Sequence, residues 1–255
     1  MFKKFMLVIM ITGAVIFMSG CGDKVEPDEP EIPDNTQDAL PAEVENWVDY
    51  SSALFLGQSF QHEGKLYLLV TYGEKPTGGY TVEVTDISKE DEKLVVTAHF
   101  TSPAEDEMVS QAFTYPYDLK VIADPGLPVE FIATGAETYL PTLYGLDRLK
   151  PVTAGSEWIR LFAPASGETI GRQITVEGIA NVFEGTVIYT LTNAKGEELE
   201  TGFTTGAMGD WGYFSIDLEL GEQIESGSIL LLQLYTESPM DGSIQDMVEV
   251  ELKLE

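Results

Sequence analysis

The chain has 255 residues, 44% of them hydrophobic, and 43 acidic against 14 basic side chains give it a formal net charge of −29. Phosphate backbones and anionic headgroups need clustered Lys and Arg, so this composition excludes nucleic acid as a partner and leaves the protein surface repelled by an anionic bilayer. The single cysteine, Cys21, leaves no intramolecular disulfide, so the fold has to rest on apolar cores.

In chain order, the first element is a targeting segment. Lys3 and Lys4 form a positive start, and Phe5 to Phe17 is an apolar stretch too short for a comfortable membrane span. Met18-Ser19-Gly20-Cys21 then puts small residues directly before the cysteine, the pattern of a bacterial lipobox. In that reading residues 1–20 are a lipoprotein signal peptide and Cys21 carries a diacylglycerol. The alternative is an ordinary signal peptide with an incidental cysteine. Two acyl chains, at about 0.8 kcal/mol per buried methylene, suffice for stable anchoring. The expected location is therefore the extracytoplasmic face of the cell membrane, with the bilayer as a partner through Cys21. Cleavage would remove Lys3 and Lys4 and no acid, leaving 12 basic and 43 acidic residues, a net charge of −31.

Residues 21–46 read as an acidic, proline-rich tether, with Glu26-Pro27-Asp28-Glu29-Pro30-Glu31-Ile32-Pro33 at its centre and little to bury. At about 3 Å per residue, some twenty extended residues would reach roughly 60 Å from the bilayer, a working distance within a cell wall.

Residues 47–132 read as a small β-rich domain. Only Glu43 to Leu56 shows a helical period, and that weakly. Lys65–Tyr72 is an apolar run between Gly64 and Gly73; Tyr80–Val84 and Leu94–Phe100 alternate, the latter with Leu94, Val96, Ala98 and Phe100 on one face. Tyr117–Ile122 and Val129–Ile132 can each add a strand. Residues 133–157, with Gly135, Pro141, Gly145, Pro151 and Gly155, form an interdomain connection. Its Tyr139, Leu140, Leu143, Tyr144 and Leu146 are apolar enough to pack against a neighbour.

Residues 158–255 carry period-two apolar sets. These are Ile174 and Val176; Val187, Tyr189 and Leu191; Phe214 to Leu220; Leu230, Leu232 and Leu234; and Val248 to Leu254. Turns fall at Lys195-Gly196, Met208-Gly209-Asp210, Ser226-Gly227 and Asp241-Gly242. Six or seven short strands at this spacing indicate an immunoglobulin-like sandwich. The fold class is all-β.

Catalysis is hard to assemble from these residues. The two histidines, His62 in a polar turn and His99 on an outward strand face, have no G-x-S-x-G serine to serve. HExxH, CxxC, a phosphate-binding glycine loop and the D-x-[DN]-x-[DN]-G calcium loop are all missing, so neither metal nor cofactor is implied. Forty-three acids make some carboxylate pair inevitable, and for that reason no single pair signifies a glycosidase.

The most singular loop is Lys75-Pro76-Thr77-Gly78-Gly79-Tyr80. It reads either as a glycine-built turn with Tyr80 packing inward or as a presented recognition loop. Tyr115-Pro116-Tyr117 invites the same two readings as a secondary contact.

Gly73-Glu74-Lys75-Pro76-Thr77-Gly78-Gly79-Tyr80, followed by Thr81–Val84, Leu94–Val96, Ser102-Pro103 and Thr114-Tyr115-Pro116-Tyr117, resembles the C-terminal domain of the PrcB family over about residues 55–123. That family is named for a lipoprotein subunit of a bacterial surface protease complex. The resemblance implies protein binding, with a secreted protease as one class of partner, and brings no catalytic residues. The same loop is similar to the N-P-T-T-G-[YF] loop of chagasin-type cysteine-protease inhibitors, with Lys75 replacing the Asn and Gly78 the second Thr. The other two loops of those inhibitors are not found.

Ile159–Pro164, Val176-Glu177-Gly178-Ile179-Ala180-Asn181-Val182-Phe183-Glu184-Gly185-Thr186-Val187, Gly209–Phe214 and Asp241–Ser243 resemble the immunoglobulin-like domain of bacterial spore-germination proteins. Gly178 and Gly185 are expected to permit close approach and turning beside a buried Phe183, with Glu184 capping the turn. The resemblance implies a sporulation or germination setting. Together these readings give a surface lipoprotein that binds a protein or cell-wall component without catalysis; the alternative is a regulator, stabiliser or inhibitor of an extracytoplasmic protease.

Overall fold

The computed structural model describes residues 40–255, so the signal segment, Cys21 and the tether through residue 39 lie outside the described residues. The described chain runs α1 (Ala42–Ser51), β1 (Phe55–His62), β2 (Lys65–Tyr72), β3 (Thr81–Glu90), β4 (Lys93–Thr101), β5 (Tyr117–Ala123), β6 (Val129–Gly135), β7 (Leu143–Tyr144), β8 (Ala154–Gly155) and β9 (Ile159–Ala163). It continues through β10 (Thr169–Ile170), β11 (Gln173–Ala180), a 3-10 turn (Phe183–Gly185), β12 (Thr186–Asn193), β13 (Glu198–Thr205), β14 (Trp211–Glu219), β15 (Ile229–Glu237) and β16 (Ile244–Leu254).

In the first domain, β1-β2-β5 and β3-β4-β6 form two three-stranded sheets. Leu66, Leu68, Val70 and Tyr72 of β2 meet Leu94, Val96, Ala98 and Phe100 of β4 in the core between them. The opposite face of β2, Tyr67 and Leu69, is covered by Val44, Trp47 and Val48 of α1. Burial on both faces explains why β2 reads as an unbroken apolar run.

Helix α1 overlaps the expected tether. Val44, Trp47, Val48 and Ser51 recur at helical spacing and are buried. Trp47 Nε1 donates to Gln58 Oε1 at 2.9 Å, and the Leu149 amide reaches the same oxygen at 3.4 Å. Helix α1 therefore starts inside the segment read as tether, because Val44, Trp47, Val48 and Ser51 put apolar and small side chains on one face. The helical period weakly visible to Leu56 stops at Ser51, since Leu54 and Leu56 turn toward the second domain.

The second domain is an immunoglobulin-like sandwich of two five-stranded sheets, β10-β16-β15-β12-β13 and β7-β14-β11-β9-β8. Its core takes in the expected sets: Ile174, Val176, Val187, Leu191, Phe214 to Leu220 at every second position, Leu230 to Leu234 and Val248 to Leu254. Close approach at Gly178 is as expected, because a Cβ there would lie 2.4 Å from the Arg160 carbonyl oxygen.

The stretch read as a connection contributes three short pieces to the sheets. Ala133–Gly135 complete β6, while β7 and β8 supply edge pairs to the second sandwich. Leu140 is buried in the first core and Leu149 in a seam between domains, whereas Tyr139 and Tyr144 are exposed. Leu54 and Leu56 meet Phe162, Ile179 and Trp211 in that seam. Trp211 Nε1 donates across it to the Phe55 carbonyl at 3.3 Å, and nearby the Gly57 amide donates to the carbonyl of Pro141 in the connecting stretch at 2.8 Å.

Phe183 departs from expectation. Val182 takes the inward position at 5% exposure and Phe183 stands 66% exposed. The cause is local: Glu184 and Gly185 have successive positive φ angles of 57° and 68°, which swing residue 183 away from the core. Glu184 is thus part of the turn's backbone rather than a side-chain cap.

Candidate functional site

The loop after β2 and the segment before β5 converge on one end of the first domain. Lys75 and Thr114 exchange both backbone hydrogen bonds, at 2.9 and 3.0 Å. The Gly78 amide donates to the Ser110 carbonyl at 2.9 Å, and Thr114 Oγ1 donates to the Thr77 carbonyl at 2.8 Å. Tyr115 Oη donates to Glu74 Oε2 at 2.7 Å, and the Tyr72 amide donates to the Pro116 carbonyl at 2.8 Å. Lys75–Tyr80 is therefore strapped along its length by residues 110–116. Gly79, at φ 87°, is fitted to this arrangement, since a Cβ would lie 2.8 Å from both Pro103 and Val109.

Tyr80 packs partly buried against the first core, its ring meeting Tyr72 edge-on at 5.9 Å. Lys75 lies over these rings, its Nζ 3.6 Å from the Tyr72 centroid and 5.4 Å from that of Tyr80. Burial pushes the Lys75 ammonium below its ordinary pKa, against the opposing pull of Glu137. Burial likewise raises the Tyr72 hydroxyl, with a 3.3 Å contact to Ser102 Oγ partly offsetting it. The Tyr115 hydroxyl is raised chiefly by donating to Glu74.

Of the sequence-predicted residues, Pro76 and Gly79 are exposed, while Lys75, Thr77, Gly78 and Tyr80 are partly buried. Tyr115 and Tyr117 are exposed and Pro116 is partly buried beneath them. The strap joins the Lys75–Tyr80 loop to Ser110, Thr114 and Tyr115–Pro116, and Tyr117 follows as the first residue of β5 beside Thr71. Sequence reasoning missed Phe113, two-thirds exposed beside Thr114, and Ser110 and Glu137, which complete the face. Their signal was present only in combination, since Ser102-Pro103 and Thr114–Tyr117 lie far along the chain from the glycine loop they touch.

The cationic head of Lys75 is engaged by aromatic rings, and among the described residues no nucleophile–base pair stands beside it. His62 faces Glu43 at 3.4 Å and His99 faces Thr134 at 3.2 Å, both away from the strapped loop. Among the described residues, no group of three His, Cys, Asp or Glu side chains is placed to hold a metal ion, and no helix is long and apolar enough to cross a membrane.

Comparison with known families finds two matches. Residues 66–123 match the family described as PrcB C-terminal, from Leu66 in β2 through β5, including the Lys75–Tyr80 loop and the 110–116 segment that straps it. Residues 158–243 match the immunoglobulin-like domain of bacterial spore germination, from just before β9 to the turn before β16. Neither is a known enzyme family. No curated protein matches the chain.

Proposed function

We propose that this chain, a PrcB C-terminal-like domain followed by a spore-germination-type immunoglobulin-like domain, is a non-catalytic binding module held at the outer surface of the cell membrane by lipid on Cys21. Its partner is a protein, engaged through the strapped face of the first domain. The observation that carries this reading is the strapping of two distant segments together, with Phe113 and Tyr115 exposed on the strapping segment and Tyr117 exposed just after it. Aromatic side chains on a preorganised loop give contact area at low entropic cost, the pattern of protein-binding hot spots.

A protease as that partner is favoured by the match over residues 66–123, given the resemblance that family name carries. The chagasin-like wedge fits less well, because Thr77 and Gly78 are occupied by Thr114 and Ser110 instead of projecting freely. A germination setting is supported by the second family match alone.

Pull-down from solubilised membranes with the wild-type chain and with Phe113→Ser/Tyr115→Ser tests the site. A protein recovered by the former and lost with the latter, at similar thermal stability, is expected. The same proteins recovered by both would refute the face, and hydrolysis of peptidoglycan by the purified chain would refute the non-catalytic reading.

A further inference from the structure

The second domain has a surface of its own that the strapped face does not use. A groove of about 840 Å³ opens at one end of the sandwich, lined by Trp158, Phe183, Met208 and Ile244, with Glu184 and Glu237 among its polar walls. All four apolar side chains are well exposed: Trp158 45%, Phe183 66%, Met208 68% and Ile244 54%. Exposed large apolar residues gathered in one concavity mark an interaction site, whereas singly scattered ones do not.

The groove is built and held. Its lip is the Val182–Gly185 turn, where Glu184 takes a left-handed conformation that residues other than glycine rarely adopt. The turn is fixed by hydrogen bonds from the Gly185 amide to the Val182 carbonyl at 2.9 Å and from the Gly206 amide to the Gly185 carbonyl at 2.7 Å. Asn181 clamps the opposite wall, its side chain accepting from the Gly209 amide at 2.9 Å and donating to the Gly209 carbonyl at 3.2 Å. Phe183 is thus presented on a rigid support, an arrangement that lowers the cost of ordering an anchor on binding.

Charge names the occupant. Residues 158–255 hold seventeen acids and only four bases: Arg160, Arg172, Lys195 and Lys253. Arg172 at the start of β11, Lys195 after β12 and Lys253 near the end of β16 all sit at the other end of the sandwich. Arg160 lies over the Trp211 ring at 5.6 Å, under the pull of Asp246 and Glu157. The groove lining contains no Lys or Arg. A second copy would bring the same acidic end to it, and an anionic polymer would be repelled.

We propose that this groove docks a lysine- or arginine-rich segment of a partner protein, with apolar side chains seated against Phe183, Trp158 and Met208 and its cations facing Glu184 and Glu237. This site is separate from the strapped face and does not depend on it.

The test uses the purified full chain and three labelled synthetic peptides: one mixing lysine with leucine and tryptophan, its counterpart with glutamate for lysine, and a lysine–serine peptide. Fluorescence anisotropy is expected to show selective binding of the lysine/leucine/tryptophan peptide. That binding should weaken about tenfold or more in Phe183→Ser and in Met208→Ser. It should weaken in Glu237→Lys and on raising salt to about 1 M, where the Debye length falls to about 3 Å. Phe113→Ser should leave it unchanged, which separates this site from the first. Both exposed-residue variants should melt as the wild type does, so loss of binding is not loss of fold. Equal binding of the glutamate peptide, unchanged binding in Phe183→Ser, self-association abolished by Phe183→Ser, or Phe183-dependent sedimentation with cell-wall polymer would each overturn the proposal.

Discussion

Trp211→Ala probes how the two sandwiches are joined. Trp211 is 4% exposed, packs in the seam with Leu54, Leu56, Leu149, Phe162 and Ile179, and donates from Nε1 to the Phe55 carbonyl of the first domain. Truncating a buried tryptophan costs about 3–5 kcal/mol. For a folded region of this size each kcal/mol moves the melting temperature by about 2–4 °C. A loss of roughly 6–20 °C follows, and because the lost contacts bridge the domains the melt should also split. Trp47 stays buried under the first domain and Trp158 half-exposed on the second, so tryptophan fluorescence and calorimetry together can assign each step. Wild type should melt in one cooperative transition and the variant in two. Phe203→Ala, on an exposed edge strand, should change stability by no more than about 0.5 kcal/mol. Two separated transitions in the wild type, or a shift under about 2 °C in Trp211→Ala, would refute the idea that this seam couples the domains.

Further outcomes follow from the same structure. Tyr80→Ala removes a half-buried ring from beside Tyr72 and Lys75 and should cost about 2–3 kcal/mol in urea denaturation, while Thr77→Ala should leave stability nearly unchanged. Glu177 accepts from the Tyr213 hydroxyl at 2.6 Å and from Lys150 at 3.0 Å; the first bond, then the second, holds its carboxyl below the usual glutamate range. The stability this provides is present above the ordinary glutamate pKa and lost as pH falls through the lowered one. Glu177→Gln should therefore be less stable than wild type by about 1 kcal/mol at neutral pH and converge on it in acid. A constant difference from neutral to acid pH would contradict that. Replacing Cys21 with Ser should abolish incorporation of a labelled fatty acid, and retained label would remove the lipid anchor from the account.

How much of this was legible in the sequence depended on where each apolar residue points. β2, buried on both faces, announced itself as an apolar run, and β14 to β16 by strict alternation over one core. β1 escaped notice because its side chains serve different surroundings: Leu56 the seam, Gln58 the helix, Phe60 the packing under α1. β13 is an edge strand of Glu and Thr with most of its surface in water, so it carries no burial pattern to read. Phe183 stands outward against its sequence pattern because the left-handed conformation of Glu184 is set by the turn, and nothing in that residue's chemistry signals it. At the candidate site, the Lys75–Tyr80 and Tyr115–Tyr117 segments were each visible alone. Their pairing, a backbone bridge between residues 39 positions apart, has no local signature.

The most direct test of the binding-module account is site-specific photocrosslinking in the cells that make this protein, with a photoreactive phenylalanine at position 113. The account predicts a discrete covalent adduct with one protein, lost when Tyr115 is replaced by Ser and not formed from the same probe at position 203. No adduct from position 113, or one formed equally from 203, would contradict it.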